Sequence, residues 1–380
     1  KVRGAGGPAR PSAAGGRDLF DLTPTEEQSM IRDTVAEFAA ERLRPAASDA
    51  DTACAAPEGL LGAAAGLGVT LVGIPERFGG VGSERSAVTD VLVAEAMAYG
   101  DMGLALACLA PAAVSTALVL WGDADQQATY LPSFTGDDVP AAALAVQEPR
   151  PLFDPFTLRT TVRRTPAGYV VDGEKSVVPL AAGAELFVVA AQLEGRGPAL
   201  LLVESGTPGL TVAAEPSMGL RAAGLGRLVL DNVTVPVGAL LGEADAYTEC
   251  VRLSRLGWSA LAVGTSQAVL DYVIPYVNER EAFGEPLANR QGVAFKVADI
   301  GTELEGMRLL TYRAASRVEQ GLPAAREIAL ARKLCADKGM AIGNDGVQLL
   351  GGHGYVKEHP VERWYRDLRA IGLMEGAVLV

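Results

Sequence analysis

Apolar residues recur at two different periods along this chain. Over the first third the period is helical. Met30, Ile31, Val35 and Phe38 share one face. Thr23 is placed to cap that helix, with Pro24 at its first position and Glu26 completing a capping box. Gly66 to Gly82 reads as a glycine-rich connector, and from Ala87 to about Leu120 the alanine- and leucine-rich chain predicts further helix. Residues 21–140 therefore predict a helical domain. Near residue 141 the period shortens. Short apolar or β-branched runs at 141–146, 158–165, 168–171, 186–192, 199–203 and 227–230 are separated by turns such as Pro166-Ala167-Gly168 and Asp172-Gly173. They predict a β-domain over 141–245, a barrel or sandwich. From 246 to 380 the helical period returns, and Val297, Ile300, Leu304, Met307, Ala314 and Val318 mark one stripe of a long helix. The fold class is α+β. Residues 1–20, almost without aliphatic side chains, predict a flexible arm.

Composition narrows the function. The chain has 380 residues, 49% of them hydrophobic, enough for two or three domains sharing interfaces. No apolar run is long enough to cross a bilayer without a charge or proline breaking it, and no signal-peptide pattern is seen. A cytoplasmic location without a membrane span is expected. A net charge of −13 makes nucleic acid a poor partner. Cys54, Cys108, Cys250 and Cys335 lack paired spacing and predict buried thiols. The two histidines, His353 and His359, form no zinc pattern with them, so no metal is expected. No dinucleotide or phosphate-binding glycine loop of the usual spacing occurs.

The chemistry concentrates near the C-terminus. Gln348 precedes Gly351-Gly352-His353-Gly354-Tyr355, where backbone can approach a flat ligand closely. Pro360-Val361-Glu362-Arg363 and Arg366-Asp367 follow, then an apolar segment ending in Met374-Glu375-Gly376. A lone carboxylate there is either an exposed acid at a helix end or a general base with its pKa raised by burial.

In order and spacing this stretch resembles the C-terminal signature of the acyl-CoA dehydrogenase family. The resemblance implies an N-terminal helical domain, a middle β-domain and a C-terminal four-helix bundle. It also implies FAD as cofactor and α,β-dehydrogenation of an acyl thioester to a trans-2-enoyl product. Glu375 is the implied α-proton base. Its backbone N–H, with a flavin hydroxyl, would polarise the thioester carbonyl. Some members carry the base on an earlier helix, but that position here is Ser254, which is no base without a partner. Arg255 matches an arginine that meets the CoA portion, and is equally readable as a solvated helix arginine.

Arg280-Glu281-Ala282-Phe283-Gly284 matches a motif whose Arg pairs with the FAD pyrophosphate of a neighbouring subunit and whose Phe packs on it. Gln291 and Gln348 match glutamines near the adenosine half, and Gly351 and Gly352 its close backbone approach. In the β-domain the family pattern is altered. Gln147 replaces a Thr that bonds the flavin, and Phe153 a Ser that meets the substrate's pantetheine arm. Val177 stands for a shielding Trp and Pro179 for a Thr, with Val178 between them at the flavin's side; Ala377 replaces a Thr after Glu-Gly. The resemblance leaves the carrier open between CoA and acyl carrier protein. It implies an electron-transfer flavoprotein as acceptor and a homo-oligomer, a dimer of dimers. The altered positions keep two alternatives open: a low-activity or structural partner in a hetero-oligomer, and a flavin oxidase or monooxygenase.

Overall fold

A computed structural model describes residues 23–81, 85–136 and 138–378. The arm at 1–20 and the end of the glycine-rich connector lie outside them. The first helix, α1 (Glu26–Phe38), begins two residues later than the sequence pattern suggests. Thr25 is its cap, accepting from Gln28 N at 3.1 Å while Gln28 Oε1 accepts from Thr25 N at 3.0 Å. A reciprocal pair fits Thr25 and Gln28 because they are three residues apart, one helical turn.

Short helices α2 (Arg44–Ala53) and α3 (Leu60–Ala65) lead to α4 (Ala87–Gly100) and α5 (Met102–Trp121), with α6 (Ala124–Tyr130) closing the domain. α5 is long and apolar enough to cross a membrane, so Pro111 does not break it as expected from sequence. Most of its surface is buried inside the protein, which makes it a core helix.

The middle domain is one eight-stranded sheet: β1 (Ala142–Ala145), β2 (Thr161–Thr165), β3 (Gly168–Val178), β4 (Leu186–Leu193), β5 (Gly197–Glu204), β6 (Leu210–Ala214), β7 (Gly226–Val235) and β8 (Leu240–Gly242). The order is β6-β7-β3-β2-β4-β5-β8, with β1 parallel to β4. Side-chain alternation gives the sheet two cores. Phe187, Val189 and Leu201 pack with Val171, Leu228 and Val233 from its other half, so it curls over its own interior. Leu186, Val188 and Leu200 face the other way, onto Val114, Leu118 and Tyr247 of the helices.

The C-terminal domain is α7 (Ala244–Glu279), α8 (Gln291–Glu319), α9 (Ala325–Leu350) and the short α10 (Val361–Leu368). The stripe on α8 is buried at Ile300, Leu304, Met307 and Ala314. α4 packs along α7 so closely that a Cβ built on Gly264 would lie 2.0 Å from Glu95 O. One core thus runs through both helical domains.

The charged part of the C-terminal signature is a latch between domains. Arg363 Nε bonds Asp101 Oδ2 at 2.9 Å, and Asp101 also caps α5 through Leu104 N. Arg366 holds both oxygens of Asp51 at 2.9 and 3.0 Å. Asp367 Oδ1 accepts from Leu220 N at 2.6 Å.

Candidate active site

Glu375 lies in a tight turn behind α7 and α9. Its φ is +50°, a conformation that non-glycine residues rarely adopt. Three groups hold it there. Arg255 of α7 donates from Nε and Nη2 to the Glu375 carbonyl, at 3.1 and 2.7 Å. Arg332 of α9 donates to Met374 O at 2.7 Å and also to Gly376 O. Ala377 N donates to Phe153 O at 2.9 Å. The next residue must be glycine: φ is +101°, and an added Cβ would lie 2.5 Å from Pro155. Local strain supported by surrounding bonds is a mark of functional turns.

The Glu375 side chain is 5% exposed, and its Oε2 is buried with no partner. Burial raises its pKa above the usual carboxylate range; Ser254, Arg332, Arg255 and Trp258 oppose the shift. Burial and the Arg255 charge together pull Arg332 down to about 10, still cationic at neutral pH.

Glu375 opens on a cavity of about 250 Å³ where the three domains meet. α4 and α5 form one wall, Ser254, Gly257 and Trp258 of α7 another, and the β-domain contributes Gln147, Val177 and Pro179. Gln147 Oε1 is buried there without a partner. The two β-domain segments are tied by a buried ion pair, Lys175 Nζ to Glu148 Oε1 at 3.1 Å. Glu148 also accepts from Arg159 N and Thr160 N, which satisfies the buried carboxylate. Burial lowers the Lys175 pKa to about 8, against the pull of Glu148. Ser176 Oγ and Val177 N both donate to Glu215, at 2.8 and 2.6 Å.

Several expected site residues stand elsewhere. Phe153 is 2% exposed and packs in the core under the sheet. Only its carbonyl reaches the site, by holding the turn after Glu375. Val178 lies in the sheet interior. A register shift between Lys175 and Val178, with Val177 at φ +56°, sets which residues face the cavity. Arg255 is neither free nor a surface arginine: its fork is engaged by the Glu375 backbone. Reasoning from sequence passed over Trp258, Arg332, Glu148 and Lys175. The four-residue spacing of Ser254 and Trp258, which aligns them on one helix face, was the available signal.

A second cavity, of about 490 Å³, lies at the far end of α7 and α9. Arg280, Gln348, Gly351 and Gly352 line it together with Tyr276 and Lys296. A Cβ added to Gly351 or Gly352 would meet nothing within 4 Å, so this backbone borders open space. Phe283 is 93% exposed. Gln291 begins α8, exposed and outside the cavity lining. The two histidines stack here at 5.3 Å, each bonded to a tyrosine. Among the described residues, no group of three or more His, Cys, Asp or Glu is arranged to hold a metal ion. Cys54 is exposed, unlike the other three cysteines, because it ends α2 at the surface.

Three sequence profiles match in order: acyl-CoA dehydrogenase N-terminal domain over 25–137, middle domain over 143–233 and C-terminal domain over 245–378. The chain belongs to the acyl-CoA dehydrogenase family. It is 31% identical to an acyl-CoA dehydrogenase of Bacillus subtilis, over 93% of this chain and 95% of that one. Butyryl-CoA dehydrogenase of Megasphaera elsdenii superimposes with a TM-score of 0.87 at 27% identity, covering 95% and 97% of the two chains. Glutaryl-CoA dehydrogenase of Mycobacterium smegmatis in complex with FADH2 gives 0.85 at 26%, covering 94% and 92%. The protein is thus an oxidoreductase of the acyl-CoA dehydrogenase class, with FAD as cofactor. The residues present fit that group: Gln147 offers an unpartnered acceptor, Arg280 a guanidinium for phosphate, and Gly351-Gly352 an open backbone.

Proposed function

We propose that this chain dehydrogenates an acyl-CoA thioester across its α,β bond, with Glu375 as the base. The observation that carries the reading is a buried carboxylate, with one oxygen unpartnered, opening on a cavity between three domains. Glu375 takes the α-proton. Desolvation makes it a stronger base than a solvated glutamate. Its backbone N–H polarises the thioester carbonyl. Ser254 and Trp258 orient the carboxylate, while Arg255 and Arg332 hold its backbone and leave the side chain to the cavity. Gln147 and the Arg280 cradle would hold FAD, which when bound would supply the acceptor for the β-hydride. An electron-transfer flavoprotein would accept the two electrons and so return the bound cofactor to its oxidised form.

A second copy of the chain completes the cradle. The support is the position of Arg280 and Phe283, on the surface beside an open cavity. A homo-oligomer follows, with part of each cofactor site supplied by the neighbouring subunit.

The test is anaerobic mixing with acyl-CoA. The wild type bleaches its flavin, and Glu375→Gln stays yellow without bleaching. Normal bleaching by that variant disproves the base. A second reading, an inactive partner subunit, draws on Val177 and Pro179, which line the cavity without side-chain donors. Purification of the protein alone as folded but colourless favours it. Rapid oxygen consumption by the substrate-reduced protein would instead favour an oxidase.

A further inference from the structure

The wall of the Glu375 cavity is apolar along α4 and α5, at Val93, Ala94, Leu109, Ala110 and Ala113. One charged pair interrupts it. Arg85 and Asp90 both line the cavity, with Arg85 Nη2 3.1 Å from Asp90 Oδ2. The pair is partly buried, with the Arg85 side chain 20% accessible, so covering it with an apolar chain is costly unless its donors and acceptors are met. One donor is already unmet: Arg85 Nε is buried without a partner. The Asp90 side chain is 42% accessible, yet burial raises its pKa. Asp90 lines the cavity, so its carboxylate is within reach of a ligand there. Its charged neighbours are Arg85 and Glu319, not Glu375, so the two carboxylates occupy separate parts of the space. The first turn of α4 is fixed in place. Ser86 Oγ accepts from Thr89 N at 3.1 Å and donates to Glu319 Oε2 at 2.6 Å.

We propose that Arg85 and Asp90 form a specificity subsite for a hydroxyl group on the acyl chain. This rests on the acyl-thioester reading above and names its substrate class. A hydroxyl both accepts and donates, so one group satisfies Arg85 Nε and an Asp90 oxygen together. Charged groups fit less well. A carboxylate would face Asp90 and an ammonium would face Arg85, each away from water. An unsubstituted chain would strip water from the pair and leave its polar atoms unmet.

The experiment is calorimetry on the FAD-bound Glu375→Gln protein with acyl-CoAs of matched length. One is unsubstituted, one series carries a hydroxyl at successive carbons, and two end in a carboxylate or an ammonium. At least one hydroxylated thioester is expected to bind about tenfold tighter than the unsubstituted chain or more. Arg85→Met with Asp90→Leu should reverse that order. Should the double variant not fold, Asp90→Asn keeps the shape and leaves Arg85 unopposed, which should move the preference to the carboxylate chain. The subsite is overturned if no hydroxylated chain outbinds the unsubstituted one, if a charged chain binds tightest to the parent, or if either variant keeps the parent's order. Failure of the base shows separately, as flavin bleaching by Glu375→Gln, and leaves the affinity comparison intact.

Discussion

Glu375 and Arg280 both belong to sequence patterns of the same family, but the chain treats them in opposite ways. Glu375 is enclosed. Its backbone is held by two arginines, and its carboxylate faces a cavity walled by all three domains. Arg280 is on the surface, lining an open cavity near an almost fully exposed Phe283. The first site is built to change a pKa, which requires exclusion of water. The second offers donors to a ligand and lacks a wall. One fold thus encloses one candidate site fully and leaves the other open at its surface.

The strongest challenge to this contrast is removal of the proposed base, Glu375. Glu375→Gln should lower the rate of flavin reduction by about 10²–10⁴-fold, the range for a general base, with flavin still bound. An equal loss of flavin would mean the residue is structural. Next in size is the latch behind the enclosed site. Arg363→Leu leaves Asp101 buried beside Asp367 and should cost about 3–5 kcal/mol in urea unfolding, whereas a solvated pair would cost under about 1 kcal/mol. Arg280→Ala should weaken FAD retention by about 10–100-fold, read by fluorescence of released flavin, without moving the pH dependence of reduction. If that profile shifts too, the two sites are not separate.

The smallest effects are in pH. Burial raises Glu375, so reduction should accelerate as pH climbs past the ordinary glutamate range and level off once Glu375 is ionised. The folded state then binds more protons than the unfolded one, so the stability tied to Glu375 is present at low pH and falls as pH rises. Glu375→Gln should flatten that decline. Burial and the Asp101 charge likewise push Asp367 up to about 8. Its contribution falls between the ordinary aspartate range and about pH 8, and Asp367→Asn should reduce the loss seen in melts across that window.

Much of the enclosed site was legible in the sequence because it rests on local order. Met374-Glu375-Gly376 is contiguous, and Gly376 is demanded by its own φ. Other roles were not legible. Arg255 and Arg332 lie on different helices and meet only at the Glu375 turn. The ion pair of Glu148 and Lys175 joins residues 27 positions apart in sequence. Val178 was misplaced because a bulge, invisible in a count of alternating residues, turns Val177 and Pro179 to the cavity instead.

Periodicity and the spacing of the C-terminal signature determined the class of fold, its helix–sheet–helix plan and the position of the candidate acid. Those features depend on neighbours along the chain. Tertiary structure alone decided that the acid is dry, that Arg255 grips backbone, and that an Arg85–Asp90 pair faces the same space. Desolvation and ion pairing depend on which distant segments are brought together, and no local pattern encodes that.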